Sequence, residues 1–261
     1  MEKSLLIFKP DSALIIDFFK KVTLLLEQRQ LKVVKRGCFT MTKDQVFGIW
    51  HTRCLDPMIY EIMLRAYENK EMIFWVVEGE MAIIKCLEIK KTIRSQFSLS
   101  FIKNCIHCPN DKKEYDSNMR CIYNIEKYIK PELYYDLRDK MILSKRLISE
   151  DDIQKCANFF ADAEESSYKK LYQKKESYQV TLYRDNLHWL TEYAVILYNI
   201  IIKNTLCEAY LYAMATIEYE KAPVFFSDDF KQAKETYNQL KKEGLLVSIQ
   251  EGTDIAMQVF S

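Results

Sequence analysis

Only three histidines occur in the 261 residues, His51, His107 and His188, and one of them has neighbours suited to chemistry. His107 closes the run Asn104-Cys105-Ile106-His107, with Arg94 of Thr92-Ile93-Arg94 thirteen residues upstream and Lys9 just after the first apolar run. A neutral imidazole is a nucleophile, while lysine, arginine and an amide donate to phosphate oxygens. Together they suit phosphoryl transfer, in which cations neutralise charge as the ring attacks in line. His51 and His188 each stand beside a tryptophan (Trp50 and Trp189) and read as ordinary polar positions. Cys105-x-x-Cys108 with Cys121 is half of a zinc ligand set, but no second CxxC completes it, so no structural metal is expected.

The elements that must position these residues follow from periodicity. Residues 4–8 (Ser-Leu-Leu-Ile-Phe) read as a buried strand delivering Lys9-Pro10-Asp11, and 12–29 as an amphipathic helix with Ile15, Phe18, Phe19, Val22 and Leu26 on one face. A second strand spans 31–39. Thr42 and Gln45 form a capping box that opens a helix through residue 51, and Pro57 opens the next. Met72 to Val77 is the most strand-like window, Glu78-Gly79-Glu80 turns into a helix through 89, and 97–106 reads as the strand that carries His107. The order β-α-β-α-α-β-α-β predicts an α+β sandwich of ferredoxin type over 1–118. A charged, helical connector is expected for 119–177, where Glu150-Asp151-Asp152 and Lys174-Lys175-Glu176 fall. A small α+β domain, strand–helix–helix–strand–helix–strand, is expected for 178–261.

Composition narrows the class. Thirty-eight basic against thirty-seven acidic residues argue against a nucleic-acid binder that relies on bulk charge. No apolar run approaches the length of a membrane span, and the opening apolar run is too short for a signal-peptide core. Eight scattered cysteines read as reduced thiols, which places the chain in the cytoplasm. With five glycines, a Gly-rich phosphate cradle is excluded.

Residues 3–118 resemble nucleoside diphosphate kinase. Lys9-Pro10-Asp11 is similar to that family's opening Lys-Pro-Asp-Gly, Trp75-Val76-Val77-Glu78-Gly79 to its Trp-Glu-Gly, and Arg94 through Asn104 to His107 keeps its spacing. The resemblance implies that His107 is transiently phosphorylated, that Lys9, Trp50, Arg94 and Asn104 hold a nucleoside di- or triphosphate, and that Mg²⁺ arrives with the nucleotide. Trp50 stands where the family has tyrosine. The family's helical arginine falls near Cys86 or Leu87, about ten residues are absent before Thr92, and the carboxylate expected to orient the imidazole is Asn118, with Glu114 one helical turn earlier.

Residues 178–250 resemble the ClpS adaptor, which delivers proteins to a Clp-type unfoldase. Tyr178 to Asn186, Ala213 to Glu218, and Phe230 to Ile249 carry that likeness. It implies a pocket for a peptide N-terminus in which Asp185 and Glu218 accept from the ammonium and Met214 lines the wall. Arg184, in place of an asparagine, cannot accept a hydrogen bond and is expected to pair with Asp185 or Glu218. Two functions follow from the resemblances: a phosphohistidine phosphotransferase fused to a peptide adaptor, or an inactive nucleotide- or partner-binding protein that serves Clp-type proteolysis.

Overall fold

A computed structural model describes residues 1–100, 102–125, 130–162 and 176–251. Two compact units emerge, one of residues 1–54 and 62–129, the other of 55–61 and 130–261.

In the first unit a four-stranded antiparallel sheet has the order β2-β3-β1-β4. Its strands are β1 (Glu2–Phe8), β2 (Lys32–Thr40), β3 (Glu71–Gly79) and β4 (Ile106–His107). The central pair holds the core: Leu5 to Phe8 are all but fully buried, and β1 pairs with β3 from Glu2↔Gly79 to Phe8↔Ile73. Phe8 meets Phe18, Phe19 and Trp75 edge-on, an aromatic arrangement that favours the burial of all four rings. Two helices line the core, α1 (Phe18–Gln28) through Phe18, Val22 and Leu26, and α5 (Ala82–Phe97) through Cys86, Ile89 and Ile93. Between β2 and β3 run α2 (Lys43–Ile49), the short α3 (His51–Cys54) and α4 (Pro57–Tyr67), and after β4 comes α6 (Lys112–Ile122).

Two expected elements differ. The helix expected over 12–29 is a 3₁₀ turn, Pro10–Leu14, followed by α1, because Ile15 is extended and Asp17 takes a left-handed φ of 57°. The strand expected over 97–106 shrinks to Ile106–His107. Side chains compete with the ladder there: the Ser100 hydroxyl accepts from the Ile102 and Lys103 backbone N–H groups, and Asp11 accepts from that of Cys105, whose φ is 63°. Pairing with β1 therefore begins only at Ile106, opposite Phe8.

The capping box opens α2 as expected, with Gln45 donating its backbone N–H to the Thr42 hydroxyl. Gln45 also does something the motif does not require. Its buried amide donates to the carbonyls of Cys121 and Ile122, which ties the helix leading into Trp50 to the helix carrying Glu114 and Asn118.

The second unit carries a three-stranded antiparallel sheet in the order β6-β5-β7, from β5 (Tyr178–Tyr183), β6 (Lys221–Ser227) and β7 (Leu246–Glu251). Helices α9 (Leu190–Ile200), α10 (Leu206–Tyr219) and α11 (Phe230–Lys242) complete the strand–helix–helix–strand–helix–strand order. Two helices within 119–177, α7 (Glu132–Ile142) and α8 (Glu150–Asp162), belong to this unit, and Met141 of α7 accepts from the buried Tyr210 hydroxyl of α10. Residues 163–175 of that stretch lie outside the described residues.

Replacing Gln45 with leucine keeps the volume, removes the side-chain bonds to the Cys121 and Ile122 carbonyls and the Thr42 N–H, and leaves the backbone bond to the Thr42 hydroxyl. A loss of about 2 kcal/mol is expected from two buried hydrogen bonds and half a capping box, measured as the shift of the urea midpoint against wild type.

Candidate functional site

Lys9, Trp50, Arg94, Asn104 and His107, spread over more than ninety residues of sequence, converge at one end of the first sheet. The end of β1 hands over Lys9, whose backbone N–H donates to the Cys105 carbonyl at 2.9 Å. Its ammonium donates to Asn104 Oδ1 at 2.6 Å and to the Ile102 carbonyl at 3.1 Å. It also lies 5.6 Å from the Trp50 ring centroid and 5.0 Å from that of Tyr67. Trp50 and Tyr67 are stacked, and the Tyr67 hydroxyl donates to the same Ile102 carbonyl. From the last turn of α5, Arg94 donates Nε and Nη2 to the Ile106 carbonyl at 3.1 and 2.8 Å. The peptide carrying His107 is thus clamped from one side by a guanidinium and paired to β1 on the other.

His107 itself is 6% exposed, with the Trp50 ring edge-on at 5.6 Å. Its Nε2 meets Asn118 Nδ2 at 3.1 Å and Glu114 Oε1 at 3.6 Å. Both come from α6, one turn apart, and the carboxylate of Asp111 caps that helix by accepting from the Glu114 N–H. Asn118 Oδ1 is buried with no hydrogen-bond partner among the described residues. The arrangement is closed: Lys9 and Asn104 are 3% and 5% exposed, and the Lys9 ammonium is bonded to the protein's own acceptors.

Electrostatics explains the state of the ring. Burial, reinforced by the charges of Lys90, Lys9, Arg94 and Arg53, holds the His107 pKa well below the ordinary histidine range. The imidazole is neutral at pH 7, as a nucleophile must be. Burial and the Arg94 charge likewise hold the Lys9 ammonium well below its usual range.

Arg53 and Lys90 escape the sequence reading. Lys90 lies one turn beyond Cys86 and Leu87, where a helical arginine is missing, and its ammonium donates to the Cys108 carbonyl at 3.3 Å and Asn110 Oδ1 at 3.4 Å. Arg53 lies on α3, whose Arg53 and Cys54 N–H groups both donate to the Trp50 carbonyl. A search for basic residues one turn from Trp50 and from Cys86 would have found both.

The thiols of Cys105 and Cys108 are pushed up by burial to about 12 and about 11. Among the described residues no cluster of three or more His, Cys, Asp or Glu side chains is placed to hold a metal ion.

In the second unit Asp185 and Arg184 have partners of their own. Asp185 is spent on its own turn, accepting from the backbone N–H groups of Leu187 and His188, with His188 Nδ1 at 2.9 Å from its other oxygen. Arg184 pairs with Glu220 at 2.7 Å. Met214 is half-buried in α10, and the side chain of Glu218 lies outside what is described. A groove of about 850 Å³ in this unit is lined by Leu137, Leu187, Trp189 and Ile196 among others, and not by Asp185 or Met214.

No protein-family model matches the chain, and no curated protein does. Among solved structures it is similar to the nucleoside diphosphate kinase of Aquifex aeolicus in an orthorhombic crystal form. That match has 21% identity and a TM-score of 0.39, and covers 49% of this chain and 99% of the other. It is also similar to the nucleoside-diphosphate kinase of Borrelia burgdorferi with bound vanadate and ADP, a transition state mimic, at 18% identity and a TM-score of 0.39 over 50% of this chain and 93% of that one. Likenesses at that score add no weight to the geometry of the His107 site. They leave the ClpS resemblance of 178–250 without support.

The depressed His107 pKa has a consequence for stability. Below about pH 6.5 the unfolded chain binds a proton that the folded chain refuses, so stability is full above that pH and falls as the pH drops. Urea midpoints at pH 7.5 and 5.5 are expected to show a smaller acid loss in His107→Gln than in wild type. An equal loss would place the ring in water.

Proposed function

We propose that the first unit is a phosphotransferase in which His107 carries a phosphoryl group from a nucleoside triphosphate to a nucleoside diphosphate. The observation that supports this most is the neutral His107 ring, held at Nε2 by Asn118 and Glu114, while Nδ1 makes no hydrogen bond among the described residues. The Asn118 amide has two orientations of the same shape. With Nδ2 toward the ring it donates to a bare Nε2. Turned over, its unpaired Oδ1 accepts from Nε2–H and leaves the Nδ1 lone pair free. The Glu114 carboxylate beside Nε2 favours a proton there and so selects the second arrangement.

The step balances as follows. The Nδ1 lone pair attacks the terminal phosphorus, an N–P bond forms, and the P–O bond to the bridging oxygen breaks with its electron pair leaving on the diphosphate. The reverse step passes the group to a second nucleoside diphosphate. Lys9 and Arg94 stabilise equatorial phosphate oxygens by exchanging a bond to the protein's own carbonyl for one to the substrate. Mg²⁺ enters as the counter-ion of the nucleotide and neutralises phosphate charge. Glu114 offsets positive charge on the phosphorylated ring, a role the neutral amide at 118 cannot fill.

A second reading, an inactive protein that binds nucleotide or a partner, draws on the 6% exposure of His107 and the committed donors of Lys9. The adaptor role for 178–250 and a Clp-type partner rest on the sequence resemblance alone, and the turn of Asp185 argues against them.

Incubation with ATP labelled at the γ position separates the two readings. Acid-labile, base-stable label on wild type and none on His107→Ala is expected. Absence of label on wild type with bound nucleotide leaves the inactive reading. In the active case Asn118→Leu is expected to label more slowly by a factor of about a hundred, the scale of losing one positioned group, and Glu114→Gln by about tenfold.

A further inference from the structure

The cations around His107 divide into two kinds. Lys9 and Arg94 start out bonded within the fold: their donors hold Ile102, Asn104 and Ile106 in place and reach phosphate only by exchanging those bonds. Arg53 is exposed, and its guanidinium makes no hydrogen bond or ion pair among the described residues. Lys90 is half-buried, and its two hydrogen bonds, 3.3 and 3.4 Å, are the longest of any cation here. The nearby acids are already occupied. Asp11 accepts from the Cys105 N–H at 2.7 Å, and Glu114 accepts from the Asn110 N–H at 2.7 Å while facing His107. Four positive groups thus share two carboxylates, neither of which forms an ion pair with Arg53 or Lys90. Their mutual repulsion is visible on Arg94, whose pKa burial and then the Arg53 charge lower.

We propose that Arg53 and Lys90 are the anion-binding clamp of this site, and that their ligand is the polyphosphate part of a phosphate ester. The location follows from the helix that carries Arg53. Its Arg53 and Cys54 N–H groups donate to the Trp50 carbonyl, and the Trp50 ring meets His107 edge-on, so the exposed Arg53 belongs to the segment that flanks the imidazole. A tri- or diphosphate brings more negative charge than a single carboxylate or monophosphate and relieves more of the excess. Arg53 offers a planar fork to two phosphate oxygens, while Lys90 exchanges its long bonds for one strong one. The clamp also fills the vacancy at Cys86 and Leu87 from one turn further along α5. The proposal takes from the phosphotransfer reading only the place of the anion.

Calorimetric titration of the full chain with inorganic tripolyphosphate, and separately with ADP, tests it. Arg53→Ala and Lys90→Gln are each expected to weaken tripolyphosphate binding by about tenfold or more, the scale of one charge-assisted pair, and Arg53→Lys to recover part of it. Lys155→Ala, an exposed cation of the second unit, is expected to bind as wild type and serves as control. Wild-type affinity in Arg53→Ala, or no binding of tripolyphosphate to wild type, overturns the clamp. If wild type binds tripolyphosphate in an Arg53-dependent way but never labels at His107, the clamp stands and phosphotransfer falls. If label forms while both variants bind normally, the clamp alone is wrong.

Discussion

An uncharged imidazole crowded by positive groups is the constraint on which the first unit turns. Removing charge from water is costly, and repulsion between like charges in a half-buried space adds to that cost. The fold tolerates it by giving Lys9 and Arg94 backbone carbonyls to hold, and those same bonds fix the loop that ends at His107. Deprotonation of the ring is the other half of the solution. A neutral histidine adds no further charge, and the surrounding cations keep it neutral. Stability and reactivity are thus set by one field.

That field explains why one end of β1 carries so much. The strand is the middle of the sheet, buried on both faces, and its last residues must pass directly into a polar site. Phe8 closes the aromatic core, and Lys9, the next residue, begins the charged cluster. The residues just before Ile106 and the helix α6 then supply its partners. One brings Asn104 to Lys9, the other brings Glu114 and Asn118 to the far side of the ring. Gln45 links α6 to the helix before Trp50, so both walls of the site share one buried amide.

Much of this was legible from residue types and spacing. The strands at Ser4 and Met72, the capping box at Thr42 and the convergence of Lys9, Arg94, Asn104 and His107 could all be read, because each rests on local periodicity or on a spaced motif. What escaped depends on three-dimensional exchange between side chain and backbone. Ser100 and Asp11 divert an apolar run from becoming a strand, and Asp17 breaks a helix whose pattern looked continuous. Arg53 and Lys90 belong to no motif; only the folding of α3 and α5 against the same ring makes them significant. In the second unit the order of elements was legible, while the partners of two expected site residues were not: Asp185 closes a turn and Arg184 finds Glu220. Secondary structure follows pattern, whereas a binding site depends on which polar groups remain unspent.

Ring nitrogen shifts of His107, followed by long-range ¹⁵N–¹H NMR from pH 8 to 5 in the ligand-free chain, test the central claim most directly. The account predicts one protonated nitrogen, Nε2, throughout, with no transition near the ordinary histidine pKa of about 6.5. A ring that titrates there, or one with the proton on Nδ1, would contradict it.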